Sequence, residues 1–289
     1  MNRVGLYNVD SKHPNFALMK ISSHHKSIGD KVSWYSPIEA PCFDMVYASA
    51  IFTYSPKDYV TDNMILGGTG FNIKSKLPDE IEDGEPDYSL YPDFKQAMGF
   101  LTRGCIRKCQ WCFVPEKEGE LRPYRDTDTI AQGRREVILM DNNFLAAGDW
   151  AQEQAERIIN GKYKVDFNQG LDARLIDNEW AKTLSKMKWF PQLRMACDTS
   201  AMIEPVIKAT ELLRKYGCKP VRYSVYTLVK DLDEAYNRVM TLAKYGLYPF
   251  AQPYIDKENH QPPEELKRFA RWVNHKAVFK SVKWEDYVD

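Results

Sequence analysis

The chain is poor in cysteine and histidine, has no long apolar run and carries no excess of charge of either sign. Its 289 residues hold six cysteines and five histidines. Six unevenly placed thiols are too few to staple a chain of this size, which excludes a disulfide framework of the secreted kind. No apolar stretch approaches the ~20 residues that a membrane-crossing helix needs. Residues 1–7 are not followed by the apolar core and small-residue cleavage site of a secretory leader, so a cytoplasmic location is expected. Forty Lys and Arg balance forty Asp and Glu, so bulk charge does not indicate nucleic acid or an anionic membrane as partner. What is present, 44% hydrophobic and 28% charged residues, suits a globular chain with a proper core.

Apolar periodicity divides the chain into four stretches. Over 1–76, residues 4–7, 31–35, 45–48 and 64–66 read as short strands, and Asn15 caps a helix that stops at Gly29. Strand–helix–strand order predicts a small Rossmann-like α/β domain there. Over 77–96, Pro78, Pro86 and Pro92 sit among acidic residues, which predicts a linker. From 97 to 260, strands at 98–102, 137–140, 165–168, 193–197, 221–225 and 248–252 alternate with helices at 149–160, 177–188, 202–216 and 232–245. Six such repeats predict a partial (β/α)6 barrel with its working side chains at the C-terminal strand ends. Residues 261–289 read as a helical segment that covers the barrel.

Half of the cysteines fall within eight residues, in the pattern C-x-x-x-C-x-x-C: Cys105, Cys109 and Cys112, with Trp111 before the last. Three thiolates on one loop ligate three irons of a [4Fe–4S] cube and leave the fourth iron open, since full ligation takes four cysteines. An open iron can chelate the amino and carboxylate groups of S-adenosylmethionine. Two other readings are a structural zinc knot and a chance cluster of buried thiols. Zinc needs a fourth donor. His13, His24, His25, His260 and His275 lie far from the loop in sequence, and Cys42, Cys197 and Cys218 are each isolated.

With this motif the chain resembles the radical S-adenosylmethionine superfamily over about residues 98–254. The resemblance implies that Cys105, Cys109 and Cys112 ligate the cluster, that Trp111 lies beside the adenine, and that Phe113 joins it as a cofactor contact. The run Cys112-Phe113-Val114-Pro115, with Gly119 and Arg122, is similar to the segment after the cysteines in methylthiotransferases and cobalamin-type members. At the end of the second barrel strand, where the family holds the methionine amino group, stand Asp141, Asn142 and Asn143; Asp141 and Asn142 are the expected contacts. Gln169 and Arg174 follow the third strand, where an Asp172–Arg174 ion pair is the structural alternative to a ligand contact. Asp198 and Thr199 follow the fourth, in place of a Glu-Ser pair, and Tyr226 or Tyr254 are candidates to line the substrate site.

The N-terminal stretch resembles a cobalamin-binding domain. It lacks the Asp-x-His-x-x-Gly signature of the cobalt-ligating loop, which makes it a degenerate one that holds no cobalamin. The family further implies a flavodoxin or ferredoxin reductant and reductive cleavage to a 5′-deoxyadenosyl radical that abstracts hydrogen from a substrate the sequence does not name. A cobalamin-dependent methylase and a non-enzymatic iron–sulfur sensor are the alternatives. With one cysteine ahead of the motif and a short tail, a methylthiotransferase is not expected.

Overall fold

The structure, a computed structural model, describes residues 1–256, 258 and 260–288. The chain forms two compact units, Met1–Lys95 and Gln96–Asp289.

In the first unit, β1 (Arg3–Asn8) leads to Asn15, whose side chain accepts from the Leu18 N–H at 3.2 Å and so starts α1 (Phe16–Ser27). Strands β2 (Lys31–Trp34), β3 (Met45–Ser49) and β4 (Ile65–Gly67) complete a four-stranded sheet of order β2–β1–β3–β4, every pair parallel. Leu18 and Ile21 of α1 pack on Val4 and Leu6. The stretch expected to be a linker packs back on this unit. It forms α2 (Asp79–Glu82), buries Ile81 in the same core, and ties Asp87 to Ser22 and Lys26, both at 2.6 Å. Asp79, Glu80, Asp83 and Glu85 are exposed and mask the apolar spacing of Leu77, Ile81 and Leu90.

In the second unit, β5 (Ala97–Gly99), β8 (Glu136–Leu139), β9 (Lys164–Phe167) and the short β10 (Lys188–Trp189) form one parallel sheet. Strands β11 (Leu193–Ala196), β12 (Tyr223–Val229) and β13 (Tyr248–Pro253) form a second. A parallel bridge between Leu171 and Met195 connects the two, so that β5, β8, β9, β11, β12 and β13 follow one another in chain order. Between β5 and β8 lie a small hairpin of β6 (Thr102–Arg103) and β7 (Arg122–Pro123), with α3 (Val114–Lys117) inside it, and then α4 (Thr127–Ala131). The helices α5 (Gly148–Asn160), α6 (Asn178–Lys186), α7 (Ile203–Lys215) and α8 (Leu232–Lys244) fill the crossovers. Each is amphipathic and lays its apolar stripe on the sheets, with Phe144, Phe167 and Trp180 forming an aromatic contact in the core. The tail adds α9 (Glu264–Asn274) and α10 (Lys276–Ser281), packed on a smaller core around Phe269 and Trp272.

The strand expected over 98–102 is broken into β5 and β6, and the strand expected to end at Val225 continues to Val229. Among the described residues no helix is long and apolar enough to cross a membrane.

Candidate functional site at the cysteine loop

The loop that carries the three cysteines rises from the β6–β7 hairpin. Gly104 opens it with φ +81°, and a Cβ there would collide with the Glu120 carbonyl, so glycine is required at this turn. Three carboxylates fasten the loop. Asp141, just past β8, accepts from the Thr102 N–H and hydroxyl (both 2.6 Å) and from the Leu101 N–H (3.2 Å). These donors would otherwise continue the sheet, which explains the break between β5 and β6. Glu118 accepts from the Gly104 N–H and the Asn142 amide (both 2.9 Å) and pairs with Arg103 at 3.0 Å. Asp172 takes the Arg107 Nε at 3.0 Å and a two-point contact from Arg174 at 2.7 and 2.9 Å.

The thiols of Cys105, Cys109 and Cys112 are all half-buried. The Arg107 N–H points at the Cys105 Sγ (3.3 Å) and the Val114 N–H at the Cys112 Sγ (3.5 Å). Burial and the neighbouring Cys112 push the Cys109 thiol up; Arg174 pulls it down, and Cys105 and Asp198 add to the rise. The three sulfurs therefore share one electrostatic neighbourhood, with a guanidinium beside them. Asn143 donates its amide to the Cys105 Sγ at 3.6 Å and to Asp172 at 3.3 Å. Its Oδ1 is buried and has no partner. An orphaned acceptor next to a thiol cluster fits a cationic ligand group at that spot. Among the described residues no group of three or more His, Cys, Asp and Glu side chains is spaced to hold a single metal ion. In an iron–sulfur cube each thiolate binds its own iron, so convergence on one point is not needed.

The remaining sequence candidates divide into two groups. Trp111 and Asp198 come together: Asp198, raised by burial, is held down by the Leu228 N–H (3.2 Å), Arg238, the Trp111 indole N–H and Lys230. Lys230 lies 4.2 Å from the Trp111 ring centroid and 4.4 Å from that of Tyr254. Arg174 reaches the thiols electrostatically while bonded to Asp172, so the ion pair weighed as the structural alternative is present. Asn142 is occupied by Glu118. Asp141 is fully engaged by the backbone it anchors. Phe113 is exposed at the start of α3, and Gln169 is exposed with its amide on Asn168. Thr199 precedes a short turn at Ser200–Met202. Tyr226 is committed, donating to the Asn168 carbonyl and accepting from Arg194, both at 2.9 Å. Glu118 and Lys230 escaped sequence reasoning. Asn143 had a signal, as the third member of the polar run after β8.

No family model matches the chain. It is 23% identical over 296 aligned positions to the tRNA-2-methylthio-N(6)-dimethylallyladenosine synthase of Sulfurihydrogenibium sp., covering 87% of this chain and 66% of that protein. It is 24% identical over 195 positions to the ribosomal protein methylthiotransferase RimO of Leptothrix cholodnii, covering 64% of this chain and 33% of the relative. The chain thus spans just under two thirds of the first relative and about a third of the second. In fold it is similar to a radical S-adenosylmethionine methyltransferase, TsrM, from Kitasatospora setae, solved with cobalamin and a [4Fe–4S] cluster bound. The TM-score is 0.60 at 11% identity, over 87% of this chain and 72% of that one.

Proposed function

We propose that this chain, a member of the radical S-adenosylmethionine superfamily, holds one [4Fe–4S] cluster on Cys105, Cys109 and Cys112 and works at the C-terminal ends of a six-stranded partial barrel. The observation that carries the reading is the loop itself: three thiols in one electrostatic neighbourhood, two of them facing backbone N–H groups, with an orphaned buried acceptor alongside. When bound and reduced, the cluster supplies the electron that cleaves S-adenosylmethionine to methionine and a 5′-deoxyadenosyl radical.

The chain's own residues do the positioning. Asn143 Oδ1 would accept from the methionine ammonium, in preference to Asp141, whose oxygens are taken. Arg174, fixed by Asp172, would face the methionine carboxylate. Trp111, oriented through its indole N–H on Asp198, would cover the adenine, and Lys230 and Tyr254 would border the substrate. Phe113, Asn142, Gln169 and Thr199 are assigned no direct contact in this reading. A one-electron donor of the flavodoxin or ferredoxin kind completes the requirement. The relatives are named for tRNA and a ribosomal protein, so the substrate class extends to macromolecules, nucleic acid included.

Anaerobic reconstitution should load about four irons per chain, and dithionite with S-adenosylmethionine should release 5′-deoxyadenosine. Alanine at Cys105, Cys109 or Cys112 should abolish both, while alanine at Cys42 should not. Stoichiometric zinc without visible charge-transfer absorption would sink the cluster assignment, and a full cluster that yields no 5′-deoxyadenosine would favour a sensor.

A second reading, a cobalamin-dependent methylase, is favoured by the fold likeness to a cobalamin-bound methyltransferase. Against it stands the missing cobalt-ligand signature, and we take the first unit, residues 1–76 with the stretch that packs on it, as a degenerate cobalamin-type domain. Titration with hydroxocobalamin decides: no tight binding is expected, and micromolar binding would promote the methylase.

A further inference from the structure

Strands β12 and β13 carry the proposed site at their C-terminal ends. Their opposite ends carry a separate feature. Three cations gather on the ring of Tyr248, the first residue of β13. The Arg222 guanidinium lies 5.6 Å from the ring centroid, the Lys276 ammonium 5.2 Å and the Lys280 ammonium 5.5 Å. Beside them lies a cavity of about 180 Å³, lined by Tyr248, Lys276, Lys280, Pro249 and Phe279 among others and by no acidic side chain. Among the described residues none of the three cations has a carboxylate partner.

One ring cannot neutralise three charges. A cation–π contact on a half-buried ring is worth only ~0.5–2 kcal/mol, whereas like charges at these separations repel. The proton affinity of Lys276 shows the strain. Burial lowers it first, then Arg222, Lys280 and Arg194, and no anion acts in the other direction. Arg194 is itself paired with Asp166 at 2.7 Å, so the uncompensated charge belongs to the other three. Elsewhere in this unit such arginines are answered by acids, as Arg103 is by Glu118 and Arg107 by Asp172. Strand β13 is six residues long, which separates this cavity from Tyr254 by ~20 Å. It is not part of the cysteine site.

We propose that the cavity at Tyr248 binds a phosphate group, carried either by a small phosphate ester or by the backbone of a nucleic-acid strand. Two lysines at the wall of a small, otherwise apolar hollow, with Arg222 across the Tyr248 ring from them, match the charge and size of a phosphate. The ring is already occupied by cations, so recognition is by charge rather than by stacking of a base.

The test is calorimetric titration of the full chain, at low salt, with inorganic phosphate and separately with a short single-stranded RNA of mixed sequence. Wild type, Lys208→Gln as a distant charge control, and the double variant Lys276→Gln/Lys280→Gln are compared, with circular dichroism to show that each is folded. The double variant should lose at least tenfold in affinity, Lys208→Gln should not, and Lys276→Arg/Lys280→Arg should restore binding. Saturation by phosphate alone assigns a small ester. Binding of RNA alone, with a salt slope of about 0.7 per phosphate contacted, assigns a strand. Failure of both probes to bind wild type, or equal binding by wild type and the Gln double variant, overturns the proposal.

Discussion

Replacing Asp141 with Asn should change how the stability of the second unit depends on pH, and the size of the change can be worked from the site. The Asp141 carboxyl is 1% exposed. Burial pushes it from the ordinary 3.8 up to about 6, although the Thr102 hydroxyl and the N–H groups of Leu101 and Thr102 pull it down. The folded chain therefore holds this proton more tightly than the unfolded chain does. The stability so gained is complete below about pH 4 and is lost as pH rises through about 6. A shift of roughly two units corresponds to about 3 kcal/mol. Asn keeps an acceptor for Thr102 but does not titrate. On going from about pH 4 to about pH 8, the unfolding free energy of wild type should fall by ~3 kcal/mol relative to that of Asp141→Asn. Urea unfolding of both proteins, stripped of iron, measures this difference. Tryptophan emission follows the unfolding, and one of the seven tryptophans, Trp150, reports from beside the site, its indole donating to the Leu101 carbonyl at 2.9 Å. A difference that stays flat within 1 kcal/mol across that range would refute the reasoning.

Asn143→Leu, which removes the orphaned Oδ1 at similar volume, should weaken S-adenosylmethionine binding about tenfold or more while sparing the cluster's visible absorption; unchanged affinity by equilibrium dialysis would remove Asn143 from the site. Glu118→Ala frees Arg103, the Gly104 N–H and Asn142 together, and should destabilise the unit by roughly 2–4 kcal/mol and lower iron retention; full iron content after gel filtration would contradict the anchoring role. Asp198→Ala leaves the Trp111 indole without its acceptor, and should raise the concentration of S-adenosylmethionine needed for half-maximal 5′-deoxyadenosine release several-fold at unchanged iron content. Cys197→Ala should keep the cluster, since burial pushes that thiol up to about 12 and its Sγ points at the Thr199 carbonyl.

Most elements were legible because their signals are local. Asn15 is a cap with an apolar stripe behind it, and the alternating residues of β8, β9 and β11 announce strands that helices of ordinary length connect. The cysteine loop stands out for the same reason, as three thiols within eight residues need no tertiary information to be seen. Features set by tertiary contact were not legible in this way. Strand β12 runs to Val229 because Thr227 and Val229 bury one face of a register with β13 that extends to Pro253. That carries Lys230, rather than Tyr226, past the strand end. Asp141 has the residue type and position of a ligand contact, yet the 2.6 Å bonds to Thr102 turn it inward. Glu118 meets Gly104 and Asn142 only after the hairpin closes, and spacing along the chain carries no trace of such a contact.

The way the cysteine loop is fastened bears on what oxygen does to a protein of this kind. Asp141 holds residues 101–102, Glu118 holds 103–104 and Asp172 holds Arg107, and none of these bonds passes through a sulfur. Oxidative loss of iron would remove the ligand without dismantling its cradle. The emptied chain should keep its protease resistance around the loop, wait in a folded state, and accept iron and sulfide again without refolding. Damage in air would then be an injury that repair machinery can reverse on the existing molecule, rather than one that calls for new synthesis.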